Sequence, residues 1–85
     1  MMITLKHIEI YKSYNGDGDG FVRCATPEEK AIMDYKRWSL IESLIQDISL
    51  IKKGLASEAY IKTIDERLKE NCDSKETIQS LRDMA

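Results

Sequence analysis

The residues best suited to chemistry lie in one short run, Asn15-Gly16-Asp17-Gly18-Asp19-Gly20-Phe21-Val22. Asn15, Asp17 and Asp19 place hard oxygen atoms at alternate positions. Oxygens so spaced can converge on one ion, as calcium requires with about six to eight ligands. Asp and Gly also gather in turns for backbone reasons alone, and a flexible Asp/Gly turn is the simpler reading of the run. As a phosphate cradle it is poor, because two aspartates repel phosphate and no Gly-Lys-Ser/Thr follows.

The run resembles the first two-thirds of an EF-hand calcium loop, over about 12 of the 85 residues. The resemblance implies ligands from the Asn15, Asp17 and Asp19 side chains and from the Phe21 carbonyl. It puts Gly20 at the sharp turn and Val22 at the apolar position. It breaks where the loop needs a bidentate Glu, since Thr26 stands there and Glu28 and Glu29 come two and three residues late. A neutral hydroxyl cannot replace two carboxylate oxygens, so affinity is expected at roughly millimolar or weaker.

Catalytic groups are sparse. His7 is the single histidine, and the two cysteines, Cys24 and Cys72, form no Cys-x-x-Cys pair. Two thiols and one imidazole are too few for a zinc site or a disulfide scaffold, so free thiols in a cytoplasmic protein are expected. A Cys24–Cys72 bridge would require export. His7 reads as a surface residue of the first helix and Cys24 as a small packing residue, which leaves a Cys24–His7 dyad unsupported. Glu28 and Glu29 serve a helix start before any acid–base role. No enzyme activity and no cofactor are expected.

The elements that would position these groups are helices. Thr4 caps a first helix over Leu5–Tyr14, with Ile3 and Ile8 at the staple positions and Asn15-Gly16 as the stop. That segment also partly alternates, as a strand would. After the Gly/Asp-rich loop, Phe21, Val22 and Cys24 read as a short extended piece. Thr26-Pro27-Glu28-Glu29 is a capping box with Pro at the first helical position, and its helix should turn Ala31, Ile32 and Met33 inward.

Asp34 opens a long helix. Its apolar stripe of Trp38, Ile41, Leu44, Ile45, Ile48 and Ile51 is widened by Leu40 and Leu50, and Lys52-Lys53-Gly54 ends it. Ser57 caps the next helix, with Tyr60, Ile61, Ile64 and Leu68 inward. Asp73, with Glu76 three residues on, restarts a last one carrying Ile78 and Leu81. The expectation is an all-α fold: one domain over residues 1–85, a small bundle of four to five helices with a Gly/Asp-rich loop after the first.

Composition narrows the function classes. With 42% hydrophobic and 33% charged residues the chain is too apolar for disorder. Thirteen Lys and Arg against 15 Asp and Glu give a net charge of −2, which argues against nucleic acid as a partner. The cations Arg23, Lys30, Lys36 and Arg37 are offset by Glu28, Glu29 and Asp34. No apolar run approaches the length of a membrane span, and residues 1–7 lack the pattern of a signal peptide.

Trp38 and Phe21 read as core anchors. Four tyrosines in so small a domain cannot all be buried with satisfied hydroxyls, so Tyr11, Tyr14, Tyr35 and Tyr60 are candidates for a binding surface together with Leu40 and Leu50. The wide stripe of the long helix suggests burial by a protein partner or a second copy of the chain, as in a homodimer. Protein–protein binding through an apolar, tyrosine-bearing helix face is therefore the expected role, as in an adaptor, a regulator or an immunity-type inhibitor. Colicin-type immunity proteins are similar in size and helical class, although none of their motif residues occurs here. Weak calcium binding at Asn15, Asp17, Asp19 and Phe21 is the alternative.

Overall fold

Local capping chemistry sets the helix boundaries. In the computed structural model, which describes residues 2–85, Thr4 opens α1 (Leu5–Ser13), Thr26 opens α3 (Pro27–Ile32), Asp34 opens α4 (Tyr35–Lys52) and Ser57 opens α5 (Glu58–Asn71). Each side chain accepts a hydrogen bond from the backbone N–H three residues on, which satisfies a donor that has no partner within the helix. The last helix, α6 (Lys75–Met84), is capped by Ser74 rather than by the expected Asp73. Asp73 instead accepts a hydrogen bond from the buried Thr77 hydroxyl.

Two helices end in the same device. After α1 the N–H of Gly16 donates to the Tyr11 carbonyl and that of Asn15 to Lys12, with Asn15 at φ 52°. After α4 the N–H of Leu55 donates to Leu50 and that of Gly54 to Ile51, with Gly54 at φ 73°. Both are Schellman stops, whose paired backbone bonds satisfy the last carbonyls of the helix.

The described residues form six helices, not the four to five expected. The additional one is α2 (Gly18–Cys24), which takes up the second half of the Gly/Asp-rich loop and all of the piece expected to be extended. Two glycines cost this helix about 1 kcal/mol each relative to Ala. Tertiary contact overrides that cost: Phe21, which is buried, stacks on Trp38 at 5.0 Å and meets Tyr14 edge-on at 5.5 Å.

α4 is the centre of the fold. Trp38, Ile41, Leu44 and Ile48 line its buried face, and it packs against α1, α5 and α6. α6 in turn contacts α1 and α5. Ile64 and Leu68 of α5, Leu81 of α6 and Ile8 and Ile10 of α1 complete the core. The chain is pinned at its start as well. Fully buried Ile3 forms a parallel bridge with Cys72, its N–H donating to Asn71 and its carbonyl accepting from Asp73.

α2 and α3 are held more lightly. α2 buries only Phe21 and α3 buries nothing. Met33, just after α3, is inward as expected, whereas Ala31 and Ile32 are exposed. Cys24 is also exposed, contrary to the packing role expected of it. The buried cysteine is Cys72, whose thiol is pushed up to about 11 by burial and by Asp73 beside it. Both thiols are free.

His7 is a second correction, for it lies in the core rather than on the surface of α1. Its Nδ1 accepts from the Thr4 N–H at 3.0 Å, and its Nε2–H donates to the Ile32 carbonyl at 3.1 Å. Both partners have fixed roles, so the ring must be neutral with its proton on Nε2. Burial holds its pKa below 6.5, against the opposing effect of the Ile32 carbonyl and with the help of Arg37.

The native state thus binds fewer protons than the unfolded chain just below pH 6.5, and stability falls as pH falls through that range. We expect the urea midpoint to drop between about pH 7 and about pH 5, above the range in which ordinary carboxylates titrate. In His7→Gln this drop is expected to disappear. A midpoint equally steep in the variant over the same interval would contradict the assignment.

Candidate functional site

The concave surface richest in uncommitted groups lies between α2 and the first turns of α4. Its cavity measures about 280 Å³. Phe21 and Trp38, both almost fully buried, line it with Gly18. Val22 and Tyr35 line it from exposed positions, at 63% and 80% exposure, and Asp19 and Glu42 contribute carboxylates. The geometry follows from helical spacing. Tyr35, Trp38 and Glu42 recur at three and four residues on α4 and so share one face. Val22 follows the inward Phe21 by one position and is turned outward from it.

The Trp38 indole N–H is buried and meets no acceptor among the described residues. It lies beneath Gly18, where a side-chain Cβ would come within 3.3 Å of Nε1. Trp38 is otherwise fixed by its aromatic neighbours, Tyr11 at 4.6 Å and Phe21 at 5.0 Å.

A second hollow, about 320 Å³, lies between the end of α1 and the end of α6. Tyr11, Lys12, Asn15 and Gly16 line one part of it and Ile45 and Met84 the rest.

The candidate calcium ligands are dispersed by α2. Asn15 lines the second hollow, whereas Asp19 lines the first. Asp17 stands at the cap position of α2 without a side-chain capping bond. The Phe21 carbonyl accepts the Ala25 N–H at 3.0 Å and is thereby used at the end of the helix. Among the described residues no group of three or more His, Cys, Asp or Glu side chains is placed to hold a metal.

The four tyrosines separate into two kinds. Tyr11 and Tyr14 are half-buried in the aromatic cluster. The Tyr14 hydroxyl donates to Glu29 at 2.7 Å, a bond that pushes its pKa up to about 12 and holds that of Glu29 down together with the Thr26 N–H. Tyr60 is exposed but tethered, donating to Asp47 at 2.9 Å, and the same carboxylate pairs with Arg67 at 2.7 Å. Tyr35 alone stands almost free. Leu40 is half-buried against the core, and Leu50 sits beside the α4 stop at the limit of exposure.

The structure separates the groups considered for catalysis. Both His7 nitrogens are hydrogen-bonded, Cys24 is on the surface, and Glu29 closes the Thr26 capping box. Val22, Gly18 and Glu42 were not legible as site residues. A helical wheel through residues 18–24 would have placed Val22 outward beside an inward Phe21. No helix is long and apolar enough to cross a membrane among the described residues. Comparison with protein-family models, curated proteins and solved structures returns no match.

Proposed function

We propose that this chain acts without catalysis, by binding a partner protein through the cleft between α2 and α4. The observation that carries the reading is Tyr35, which is 80% exposed yet lines the same cleft as the nearly buried Trp38. Val22 adds a second exposed apolar side chain beside it. Aromatic residues at the mouth of an apolar hollow are the usual anchors of protein interfaces, because they bury large area at little entropic cost. The lightly held α2 can adjust to an incoming surface, whereas the core formed by α1, α4, α5 and α6 holds the other wall in place.

The test is photocrosslinking from position 35, with p-benzoylphenylalanine in place of Tyr35, in the native host. Leu55, also well exposed but in the α4–α5 connection, serves as the control position. A discrete crosslinked species is expected from position 35, absent from position 55 and abolished by Val22→Asp. A product containing only this chain would identify the partner as a second copy. Indistinguishable products from both positions, or none from position 35, would refute the proposal.

A further inference from the structure

We propose that the α2–α4 cleft receives a Lys or Arg side chain presented by the partner protein; this rests on the docking role of the cleft argued above. Three features of its walls converge on that occupant. Asp19 and Glu42 line the cavity, and among the described residues neither forms an ion pair or a side-chain hydrogen bond. The same cavity is lined by Val22, Phe21 and Tyr35, an apolar and aromatic surface. Beneath Gly18 the Trp38 indole N–H, on a side chain only 3% exposed, has no acceptor.

A Lys or Arg residue answers all three. Its cationic head pairs with the carboxylates, its aliphatic stem covers the apolar wall, and its own backbone carbonyl supplies the acceptor that the indole lacks. A cation beside the exposed Tyr35 also gains from its ring quadrupole. The alternatives fit less well. An uncharged apolar side chain would dehydrate two carboxylates without compensation, and an acidic or phosphorylated one would be repelled by them.

Size agrees with a single side chain. The cavity of about 280 Å³ falls at the bottom of the range for ligand sites, which runs from about 300 to 1,000 Å³. The missing side chain at Gly18 keeps the indole edge next to the cleft. Gly18 is also the first residue of a helix that buries only Phe21, so a small displacement of that first turn opens the donor to a carbonyl.

Trp38 is the sole tryptophan, so the protein has one indole N–H resonance and it reports directly on the site. Two capped amino acids serve as probes: N-acetyl-arginine methylamide, and the uncharged N-acetyl-norleucine methylamide of similar stem length. The arginine probe is expected to shift the indole resonance along a saturable curve and to bind at least about fivefold more tightly than the norleucine probe. Asp19→Asn combined with Glu42→Gln should remove that preference, weakening the arginine probe and not the norleucine probe, while leaving the amide spectrum dispersed.

Equal affinity for the two probes would overturn the cationic assignment and leave an apolar docking cleft. Absence of any saturable shift with the arginine probe would overturn it as well, whatever the crosslinking result. Failure of crosslinking at position 35 sinks the docking role separately, so the two readings can be told apart.

Discussion

Trp38→Ala is expected to cost about 3–5 kcal/mol of folding free energy, the range for truncating a buried aromatic. A domain of this size holds only about 4–13 kcal/mol in total, so the loss is a large share of its stability. The reason is the place of Trp38 in an aromatic chain. Tyr11 lies against one part of the indole and Phe21 stacks on it, and Phe21 in turn meets Tyr14 edge-on. Removing the indole takes away the surface on which Phe21, the one buried residue of α2, is packed. α2 should therefore lose its helical order before the rest of the protein.

Trp38→Phe separates packing from hydrogen bonding. Because the indole N–H has no partner, its loss costs nothing, and the variant should lose only about 1–2 kcal/mol from reduced volume. Urea titration followed by circular dichroism measures both variants. A loss below about 1.5 kcal/mol for Trp38→Ala would show that the aromatic chain contributes little.

Ile3 should be nearly as sensitive, although it lies outside any helix. Its side chain is fully buried, and its backbone donates to Asn71 and accepts from Asp73. Ile3→Ala is expected to cost about 2–4 kcal/mol. Ile3→Asp should abolish cooperative unfolding, since it places an unpaired carboxylate in the core. Amide exchange provides a local check: the Asp73 N–H should exchange much faster in Ile3→Ala. If Ile3→Ala stays within about 0.5 kcal/mol of the parent, as a surface substitution would, the pinning role is disproved.

Which features were legible in the sequence follows from how local their causes are. Thr4, Thr26, Asp34 and Ser57 can be read as caps because a cap and the backbone N–H that donates to it lie three residues apart. Asp73 and Ser74 are both good caps, and local sequence does not choose between them; Ser74 takes the position and Asp73 bonds Thr77. α2 was read as a loop because its helix depends on Trp38 and Tyr14, contacts no local pattern reports. His7 was placed on the surface for a similar reason, since its partner carbonyl at Ile32 is 25 residues away.

Of the candidate binding surface, Tyr35 alone was named from sequence among the residues that line the cleft. Tyr11 and Tyr14 are taken up by aromatic contacts, and Tyr60 by Asp47. Composition can say that four tyrosines are too many to bury; which of them stays free depends on helix packing. The wide stripe of α4 was also less of a surplus than it looked, because Leu40, Ile45 and Ile51 all pack against the core.

The bridge between Ile3 and Cys72 has a consequence for biogenesis. Ile3 finds its native neighbours only after residue 73 has been made. Emerging helices can form in sequence, but the contact that pins the segment before α1 must wait until the end of α5 has been synthesised. Truncated nascent chains ending before Asn71 should therefore remain protease-sensitive around Ile3, and protection there should arrive in one step once Asp73 has emerged.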